Sequence, residues 1–285
     1  IALTYHRTPD SMVCHYCAFR APRSESCERC GNRTLRRRGV GTQQLEELLA
    51  ERFPTCRIAR MDVDTTGGRL AHARILARVG RGDADVLLGT QMIAKGLDFP
   101  NVTLVGVVDA DVGINLPDFR ASERTFQLLS QVAGRAGRGP KGGEVFIQTR
   151  NPVHHAVRCA VGHDFEAFVR EELPGRQSPA YPPAVRLTRI VLSATDEAVA
   201  ADLALAAVDW LRRLADSKKL GSVAFVGPAP CPIERIKQRW RWHVVIKAGD
   251  SNELSRLLTY FAQRFPVPAR AQARASIDRD PVSIL

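Results

Sequence analysis

The sequence predicts an α/β domain with a parallel sheet, followed by a smaller α+β domain. Between residues 36 and 150, short apolar strands alternate with amphipathic helices, which is the order found in parallel sheets with right-handed crossovers. After residue 184 the order becomes βαββαβ. The chain also begins with a cysteine-rich stretch, because four of its seven cysteines form two CxxC pairs. Such pairs predict a metal-bound segment ahead of the first domain.

Composition and charge indicate a globular protein with a polyanionic partner and no membrane span. Of its 285 residues, 45% are apolar and 25% are charged, which is ordinary for a soluble globular protein. The net charge of +11 and the pI near 9.8 favour a polyanionic partner such as nucleic acid. No apolar run reaches the ~20 residues that span a bilayer, so we expect a cytoplasmic protein and no membrane partner. The start at Ile1 rather than Met leads us to expect a longer parent protein.

The elements of the first domain follow from hydrophobic periodicity and from capping residues. Thr42 and Ser122 are the expected N-caps of two helices. The predicted order is helix 42–49, strand 58–62, helix 69–79, strand 85–90, strand 102–108, helix 122–137 and strand 144–149.

A second set of elements follows a boundary at residues 151–152. Helix 154–172 leads to a proline-rich connector at 174–183, which predicts a domain boundary. The βαββαβ order beyond it is the split βαβ of ferredoxin-like folds. The predicted elements are strand 185–194, helix 196–218, strand 223–228, strand 242–247, helix 252–265 and strand 275–278. The resulting domains are 1–35, 36–153, 154–183 and 184–285.

The string Gln131-Val132-Ala133-Gly134-Arg135-Ala136-Gly137-Arg138 is the most informative in the chain. On a helix, Arg135 and Arg138 would share one face, and a guanidinium suits the charge of a triphosphate. A solvated basic helix end is the alternative. The string resembles motif VI of superfamily 2 helicases, which lies on the second of two RecA-like lobes. That resemblance implies catalytic arginines at 135 and 138 and a nucleotide contact at Gln131.

A second string, residues 88–100, leaves the C-terminal end of a predicted strand, where α/β sheets bind ligands. It resembles motif V of the same helicases. The resemblance implies that Thr90 and Gln91 contact the DNA backbone, while Gly96 and Asp98 approach the nucleotide. Asp98 could instead cap the following turn.

Further strings narrow the resemblance to one family. Residues 116–124 read Leu-Pro-Asp-Phe-Arg-Ala-Ser-Glu-Arg, and together with 39–42, 62–66 and 278–281 they resemble the PriA family of primosomal replication-restart helicases. The resemblance covers essentially the whole chain. It implies the second lobe and C-terminal domain of an ATP-dependent 3′→5′ DNA helicase that restarts replication at stalled or branched forks. The implied partners are branched and single-stranded DNA, single-stranded DNA-binding protein and other primosome proteins, and the implied cofactors are zinc and ATP with magnesium. The resemblance also implies a bacterial, nucleoid-associated protein.

Two parts of an ATPase are absent from the sequence. No GxxxxGK[ST] phosphate loop and no acidic magnesium-binding string occur, so we expect that this chain alone does not hydrolyse ATP. The full-length protein would carry these parts on another lobe. Alternatively, it is a DNA-binding restart scaffold with a degenerate first lobe. A zinc-ribbon RNA-binding protein is the third hypothesis.

The cysteines divide into paired and isolated ones. Cys14, Cys17, Cys27 and Cys30 carry the four thiols that a tetrahedral zinc site needs. The family resemblance implies instead two zinc ions in nested sites, with each of these pairs forming half of a different site. The isolated cysteines are expected to be small buried residues rather than ligands or catalysts. They are Cys56, Cys159 and Cys231.

Basic and aromatic residues alternate in the C-terminal domain from Arg235 to Trp242. Tryptophans can stack on unpaired bases while cations contact phosphates. Arg239, Trp240 and Arg241 are therefore candidate DNA-binding residues. A half-buried strand, with the tryptophans on one face and the arginines on the other, explains the pattern equally well.

Overall fold

The computed structural model of the chain describes residues 4–6, 11–13, 20–22, 26, 30–31, 41–61, 71–90, 93, 101–134 and 142–284. The chain forms two compact units. The first, called the C-terminal unit, comprises Ile1–Leu35, Asn115–Ala121 and Arg170–Leu285. The second, called the α/β unit, comprises Arg36–Ile114 and Ser122–Val169.

Three strands of three residues each open the chain in the C-terminal unit. They are β1 (Thr4–His6), β2 (Ser11–Val13) and β3 (Arg20–Pro22), and they pair antiparallel in that order. Ser11, Met12 and Ala21 are only half-buried. Such short strands bury too little apolar surface to be stable by themselves.

The α/β unit has parallel strand pairs, as predicted. Strand β4 pairs with β5, and β6 pairs with β7, both in parallel register. Among the described residues these are two separate two-stranded sheets. The elements after β3 are α1 (Thr42–Arg52), β4 (Ile58–Met61), α2 (Ala71–Gly80), β5 (Val86–Gly89), β6 (Leu104–Val107), α3 (Asp111–Ile114), α4 (Ala121–Ala133), β7 (Glu144–Ile147), α5 (His155–Val161) and α6 (Phe165–Gln177).

The core of the α/β unit forms where α4 packs against α5 and α6. Phe126 and Leu129 of α4 are buried, and the Phe126 ring stacks on Phe168 with ring centroids 4.3 Å apart. Val107 of β6 and Ile147 of β7 pack against this cluster, which connects the second strand pair to the helices.

Four details of the predicted helices are wrong. Thr42 is not an N-cap, because Gly41 occupies the cap position and Thr42 is the first residue of α1. Ser122 is not a cap either, since α4 begins one residue earlier, at Ala121. Third, α4 ends at Ala133 and the next residue lies in a turn, although the predicted helix continues through it; residues 135–137 of that predicted helix lie outside the described residues. A glycine follows at position 134, and glycine commonly ends helices.

The fourth error concerns the helix predicted over 154–172. The structure has two helices there, because His163 lies in the left-handed region with φ 51°. Asp164 then accepts a hydrogen bond from the Ala167 amide at 2.8 Å and starts α6. Helix α6 extends through residues of the predicted connector, with Pro174 inside it.

The C-terminal unit contains a four-stranded antiparallel sheet in the order β11-β8-β10-β9, as the ferredoxin-like prediction requires. Helices α7 and α8 cover one face with a core that includes Leu192, Leu211, Ile246 and Leu257. The elements are β8 (Arg186–Ala194), α7 (Glu197–Ser217), β9 (Val223–Ile236), β10 (Arg239–Ala248), α8 (Ser251–Arg264) and β11 (Arg274–Arg279).

Strand β9 is longer than the predicted strand 223–228. Sequence rules do not favour a strand that continues past Pro228, because proline lacks the amide proton that a strand interior needs. β9 lies at the edge of the sheet, where one side makes no ladder, and it therefore accommodates Pro228, Pro230 and Pro232.

The other face of this sheet is covered near one end by a loop and by the C-terminal segment. Tyr181, Leu187, Val245 and Ile284 form a buried cluster there, and Phe119 packs against it. No helix in the described part of the chain is long and apolar enough to cross a membrane.

Candidate functional site

The end of β5 carries the first predicted site residue, in the α/β unit. Thr90 follows directly after β5 and is exposed. Gly89, just before it, is tightly packed, because a Cβ atom there would lie 2.5 Å from the Met61 carbonyl oxygen. The Ile93 amide donates to the Thr90 carbonyl at 3.1 Å, which turns the chain away from the strand. A hydroxyl is thus presented beyond the carboxyl end of a parallel strand, where ligands of α/β sheets bind.

The ends of β6 and β7 are joined by a carboxylate. Asp111, the first residue of α3, accepts a hydrogen bond from the Thr149 hydroxyl at 2.6 Å and another from the Arg150 amide at 2.9 Å. Asp109, two residues earlier, has φ 67°, a left-handed conformation that is uncommon for residues other than glycine. The carboxylate fixes this edge of the sheet.

An ion pair joins the starts of β4 and β5 at the opposite edge. The Arg57 guanidinium donates to both carboxylate oxygens of Asp85, at 2.7 and 3.0 Å. Hydrogen bonds from the Arg57 side chain and amide lower the pKa of Asp85 to about 2. Both groups face solvent, so the pair fixes strand register and contributes little stability.

The last turn of α4 presents Gln131. Its side chain is exposed, whereas Leu129 and Val132 on the same helix are buried. Of the residues predicted to contact nucleotide, Gln131 is the one that the structure describes. The other predicted residues of the two helicase-like strings lie outside the described residues: Gln91, Gly96, Asp98, Arg135 and Arg138.

The predicted DNA-binding residues at the β9–β10 hairpin belong to the C-terminal unit. Trp240 is half-buried, and the Arg235 guanidinium carbon lies 5.3 Å from the centroid of its ring. Arg239 donates to the Ser193 carbonyl at 3.2 Å, and Arg241 donates to the Ile233 carbonyl at 3.1 Å. Both arginines therefore hold the backbone in place.

Residues 116–124 narrowed the family resemblance, but the sequence did not indicate how residues 115–121 pack. Asp118 is buried and accepts hydrogen bonds from the Ser283 hydroxyl at 3.0 Å and from the Ile284 amide at 3.1 Å. Phe119 stacks on Tyr181 with centroids 5.0 Å apart and planes at 7°. The only available signal was an aromatic residue between charged ones in a loop.

The cysteines are described in part. Cys14, Cys17 and Cys27 lie outside the described residues, and Cys30 is an exposed free thiol. Gly31 after it has φ 67°, a turn in which an amide can face the preceding sulfur, so this residue fits a zinc knuckle. Within the described ranges, no three metal-binding side chains lie together.

The isolated cysteines follow the prediction in two of three cases. Cys159 and Cys231 are buried, whereas Cys56 is only half-buried. Burial raises the pKa of the Cys231 thiol to about 11, which makes it unreactive at neutral pH.

Three family models match the chain. The helicase conserved C-terminal domain matches residues 35–140, and the primosomal protein N C-terminal domain matches residues 177–282. The PriA DNA helicase Cys-rich region domain matches residues 1–22. The strands β4, β5 and β6 thus lie in a helicase C-terminal domain, β7 follows shortly after the matched residues, and the cysteine-rich start belongs to a zinc ribbon.

Curated relatives align with this chain over nearly its whole length. The replication restart protein PriA of Bacillus subtilis is 43% identical over 288 residues, which is 100% of this chain and 35% of the relative. That of Treponema pallidum is 40% identical over 286 residues, which is 100% of this chain and 42% of the relative. That of Haemophilus influenzae is 35% identical over 278 residues, which is 98% of this chain and 37% of the relative. The chain spans between a third and a half of the length of these relatives.

Proposed function

Because the chain belongs to the PriA family of replication restart proteins, we propose that it supplies the second lobe and the C-terminal domain of an ATP-dependent DNA helicase. The full-length protein would move 3′→5′, bind stalled or branched forks and assemble the primosome with single-stranded DNA-binding protein. One observation carries this proposal. A helicase C-terminal domain and a PriA C-terminal domain follow each other in one chain, behind a PriA cysteine-rich region.

In the proposed nucleotide site, the residues of this chain stabilise charge on ATP held by another lobe. Arg135 and Arg138 would face the phosphates, and Gln131, Gly96 and Asp98 would contact the nucleotide. Magnesium-bound ATP supplies the reaction itself, while the arginines stabilise the charge that develops in the transition state. The exposure of Gln131 beside a buried helix face supports this orientation of α4.

In the proposed DNA site, Thr90 and Gln91 contact the phosphate backbone. The exposed hydroxyl of Thr90 at a strand end supports the first contact. The second proposed site is the hairpin with Arg239, Trp240 and Arg241. Its residues belong to the domain that matches the primosomal protein N C-terminal domain.

For zinc, we propose that Cys14, Cys17, Cys27 and Cys30 are ligands. They form either one site or halves of two sites. Cys14 and Cys17 lie within residues 1–22, which match the cysteine-rich region of the family, and Cys27 and Cys30 follow it. In either arrangement the metal would order a segment whose strands have only three residues each.

A non-hydrolysing restart scaffold with a degenerate first lobe is the alternative function. The absence of a phosphate loop from this chain is compatible with it, because both hypotheses place ATP binding outside these residues. An RNA-binding protein is less well supported. A ferredoxin-like sheet that binds RNA does so through aromatic residues on its open face, and here Leu187 and Val245 on that face are buried.

Arg138→Ala in the full-length protein tests the helicase proposal. We expect DNA-stimulated ATP hydrolysis to fall at least about a hundredfold, because an arginine finger contributes roughly 10³ to 10⁵ in kcat. Binding of forked DNA should be nearly unchanged, since this side chain is assigned to the nucleotide. Steady-state ATPase and fluorescence anisotropy measure the two effects.

The matched control is Arg78→Ala, which removes an exposed arginine from α2 of the same unit. Its ATPase should equal that of the unmodified protein. Near-normal hydrolysis by the Arg138 variant would disprove the assignment of the arginine. No hydrolysis by the unmodified protein would favour the scaffold.

A further inference from the structure

The loop Asn115–Ala121 connects two helices of the α/β unit but belongs to the C-terminal unit. Helix α3 ends at Ile114 in the α/β unit, and α4 begins at Ala121, the last residue of the loop, and continues in the α/β unit from Ser122. The sequence string that contains this loop has no part in the nucleotide and DNA contacts proposed above. The first residue of α4 is therefore joined directly to a segment that packs in the C-terminal unit.

Asp118 holds this loop in place. An aspartate is seldom buried unless its carboxylate is paired, and this residue is only 4% exposed. Its carboxylate accepts hydrogen bonds from the Ser283 hydroxyl at 3.0 Å and the Ile284 amide at 3.1 Å, both in the C-terminal segment. It also accepts the Arg120 amide at 2.9 Å, and the carbonyl of Asp118 accepts the Ala121 amide at 3.0 Å. One residue thus joins the C-terminal segment to the first residue of α4.

Phe119 and Arg120 strengthen the attachment. Phe119 stacks on Tyr181 and packs against the buried cluster that includes Ile284. The Arg120 guanidinium lies over the Phe119 ring and donates to the Pro281 carbonyl. Three consecutive residues of the loop therefore contact the C-terminal unit. A loop held by buried hydrogen bonds and ring stacking opens far less readily than an exposed one.

Helix α4 leads from this loop to the proposed nucleotide contacts. A Cβ atom on Gly113 of α3 would lie 2.7 Å from Oγ1 of the buried Thr125, so the two helices touch close to the loop. Gln131 follows Ala121 by ten residues, which is about 15 Å along a helix. A rigid helix of this length can carry a displacement from one end to the other.

We propose that Asp118, Phe119 and Arg120 are positioning residues for the nucleotide site. They fix the start of α4 to the C-terminal unit. Helix α4 in turn keeps Gln131 and the arginine string after it in the position that stabilises the transition state of ATP hydrolysis. The inference rests on the proposed function, since it takes ATP hydrolysis as the reaction. The C-terminal unit then influences hydrolysis through residues that do not contact ATP.

The test removes one hydrogen bond from the C-terminal side of the attachment. Ser283→Ala in the full-length protein deletes a donor to Asp118 and leaves the sequence of the loop and of α4 unchanged. Ser283→Thr retains the hydroxyl and is the rescue variant. Ile246→Val is the matched control, because it trims a buried side chain on the helix-covered face of the same sheet and destabilises the unit to a similar degree.

Three measurements are made on each variant. Steady-state ATPase gives kcat and KM, and fluorescence anisotropy gives the affinity for forked DNA. Hydrogen exchange read by mass spectrometry compares the amides of α4 with those of β8 and β10.

We expect Ser283→Ala to lower kcat about three- to tenfold, less than the roughly hundredfold loss that a misplaced catalytic group causes, because the other bonds to Asp118 remain. KM for ATP and affinity for DNA should change by less than about twofold, since the displaced groups act in the transition state. Exchange in the first turn of α4 should rise about tenfold, because a hydrogen bond to a charged group is lost. Ser283→Thr should restore kcat.

The control separates positioning from stability. Ile246→Val should raise exchange in β8 and β10 and leave kcat unchanged, because it does not touch the loop. In an Asp118→Asn background, Ser283→Ala should lower kcat less than it does alone, since two residues that act through one bond are not additive.

Several outcomes would overturn the proposal. They are an unchanged kcat in Ser283→Ala, an equal loss of kcat in Ile246→Val, and additive losses for Ser283→Ala and Asp118→Asn. Failure of the helicase proposal gives a different result, because the unmodified full-length protein would then hydrolyse no ATP. Exchange would still decide the attachment in that case: a rise confined to α4 supports it, and no rise refutes it.

Discussion

At the residue scale, Gly89 shows how closely the two strands of the first parallel pair approach at their carboxyl ends. A Cβ atom built on Gly89 would lie 2.5 Å from the Met61 carbonyl oxygen and 2.9 Å from Cγ2 of Ile93. The first neighbour is backbone and cannot rotate away. Glycine is therefore required at this position by packing, directly before the hydroxyl of Thr90 that we assign to DNA.

Gly89→Ala should destabilise the α/β unit by about 1–3 kcal/mol, which is typical of an overpacked site. Hydrogen exchange of the β4 and β5 amides, read by mass spectrometry, measures the effect in this unit. Gly106→Ala is the control, because Gly106 is also a strand residue and a Cβ there would meet no atom within 4 Å. Equal exchange rates in the two variants would contradict the steric argument.

Residue-level details were only partly predictable from sequence. The apolar run that ends in polar residues placed Thr90 as the last residue of a predicted strand, and the structure ends β5 one residue earlier, at Gly89. The N-caps of α1 and α4 were not predictable from sequence, because the position of a cap depends on where the preceding chain turns. Asp118 fixes the loop before α4 by accepting the Arg120 amide at 2.9 Å, so the helix begins before Ser122.

At the element scale, the loop Asn115–Ala121 is an integral part of the C-terminal unit. The Phe119 ring stacks on Tyr181, and the guanidinium carbons of Arg120 and Arg176 lie 4.5 and 5.6 Å from its centroid. Lys247 of β10 lies 3.9 Å from the centroid of Tyr181. Alternating cations and rings of this kind add cation–π attraction to the apolar contact.

Phe119→Ala should destabilise the C-terminal unit by about 2–3 kcal/mol, because a half-buried ring loses both its packing and its aromatic partner. Urea unfolding followed by tryptophan fluorescence measures this. Val282→Ala is the control, since that side chain lies in the neighbouring C-terminal segment and is 80% exposed. A destabilisation no larger than that of the control would show that the loop is only loosely attached.

Elements were predicted well where periodicity is strong, as in α7 and α8. Both of these helices start beside a carboxylate cap, at Asp196 and Asp250. The hairpin was predicted less well, because strand rules treat proline as a breaker and cannot tell an edge strand from a central one. The packing of Phe119 could not be predicted from the sequence, because it depends on Tyr181, which is distant along the chain.

At the scale of the whole molecule, the parts of the chain differ in what holds them together. The C-terminal sheet has a large buried core on its helix-covered face, including Ile190, Leu211 and Phe261. The strands at the start of the chain have three residues each, and their described side chains are at best half-buried. The first arrangement is stable through burial, whereas we expect the second to depend on the zinc ligation proposed above.

A chelator should therefore unfold the first 31 or so residues and leave the sheet of the C-terminal unit intact. Hydrogen exchange should rise in β1–β3 and stay unchanged in β8 and β10, because their core contains no metal ligand. Loss of protection in β8 would contradict this separation. Zinc content before chelation distinguishes the two ligand hypotheses: one tightly bound ion per chain indicates a single four-thiol site, and weak or substoichiometric zinc indicates two half-sites.

Thiol reactivity gives the same experiment an internal control. Chelation should make Cys14, Cys17, Cys27 and Cys30 react with a thiol reagent, since thiolates released from zinc are exposed. Cys159 and Cys231 should stay unreactive until urea unfolds the protein, because both are buried and burial raises the pKa of Cys231 to about 11. Reaction of these two on chelation alone would mean that the metal also maintains the core of the protein.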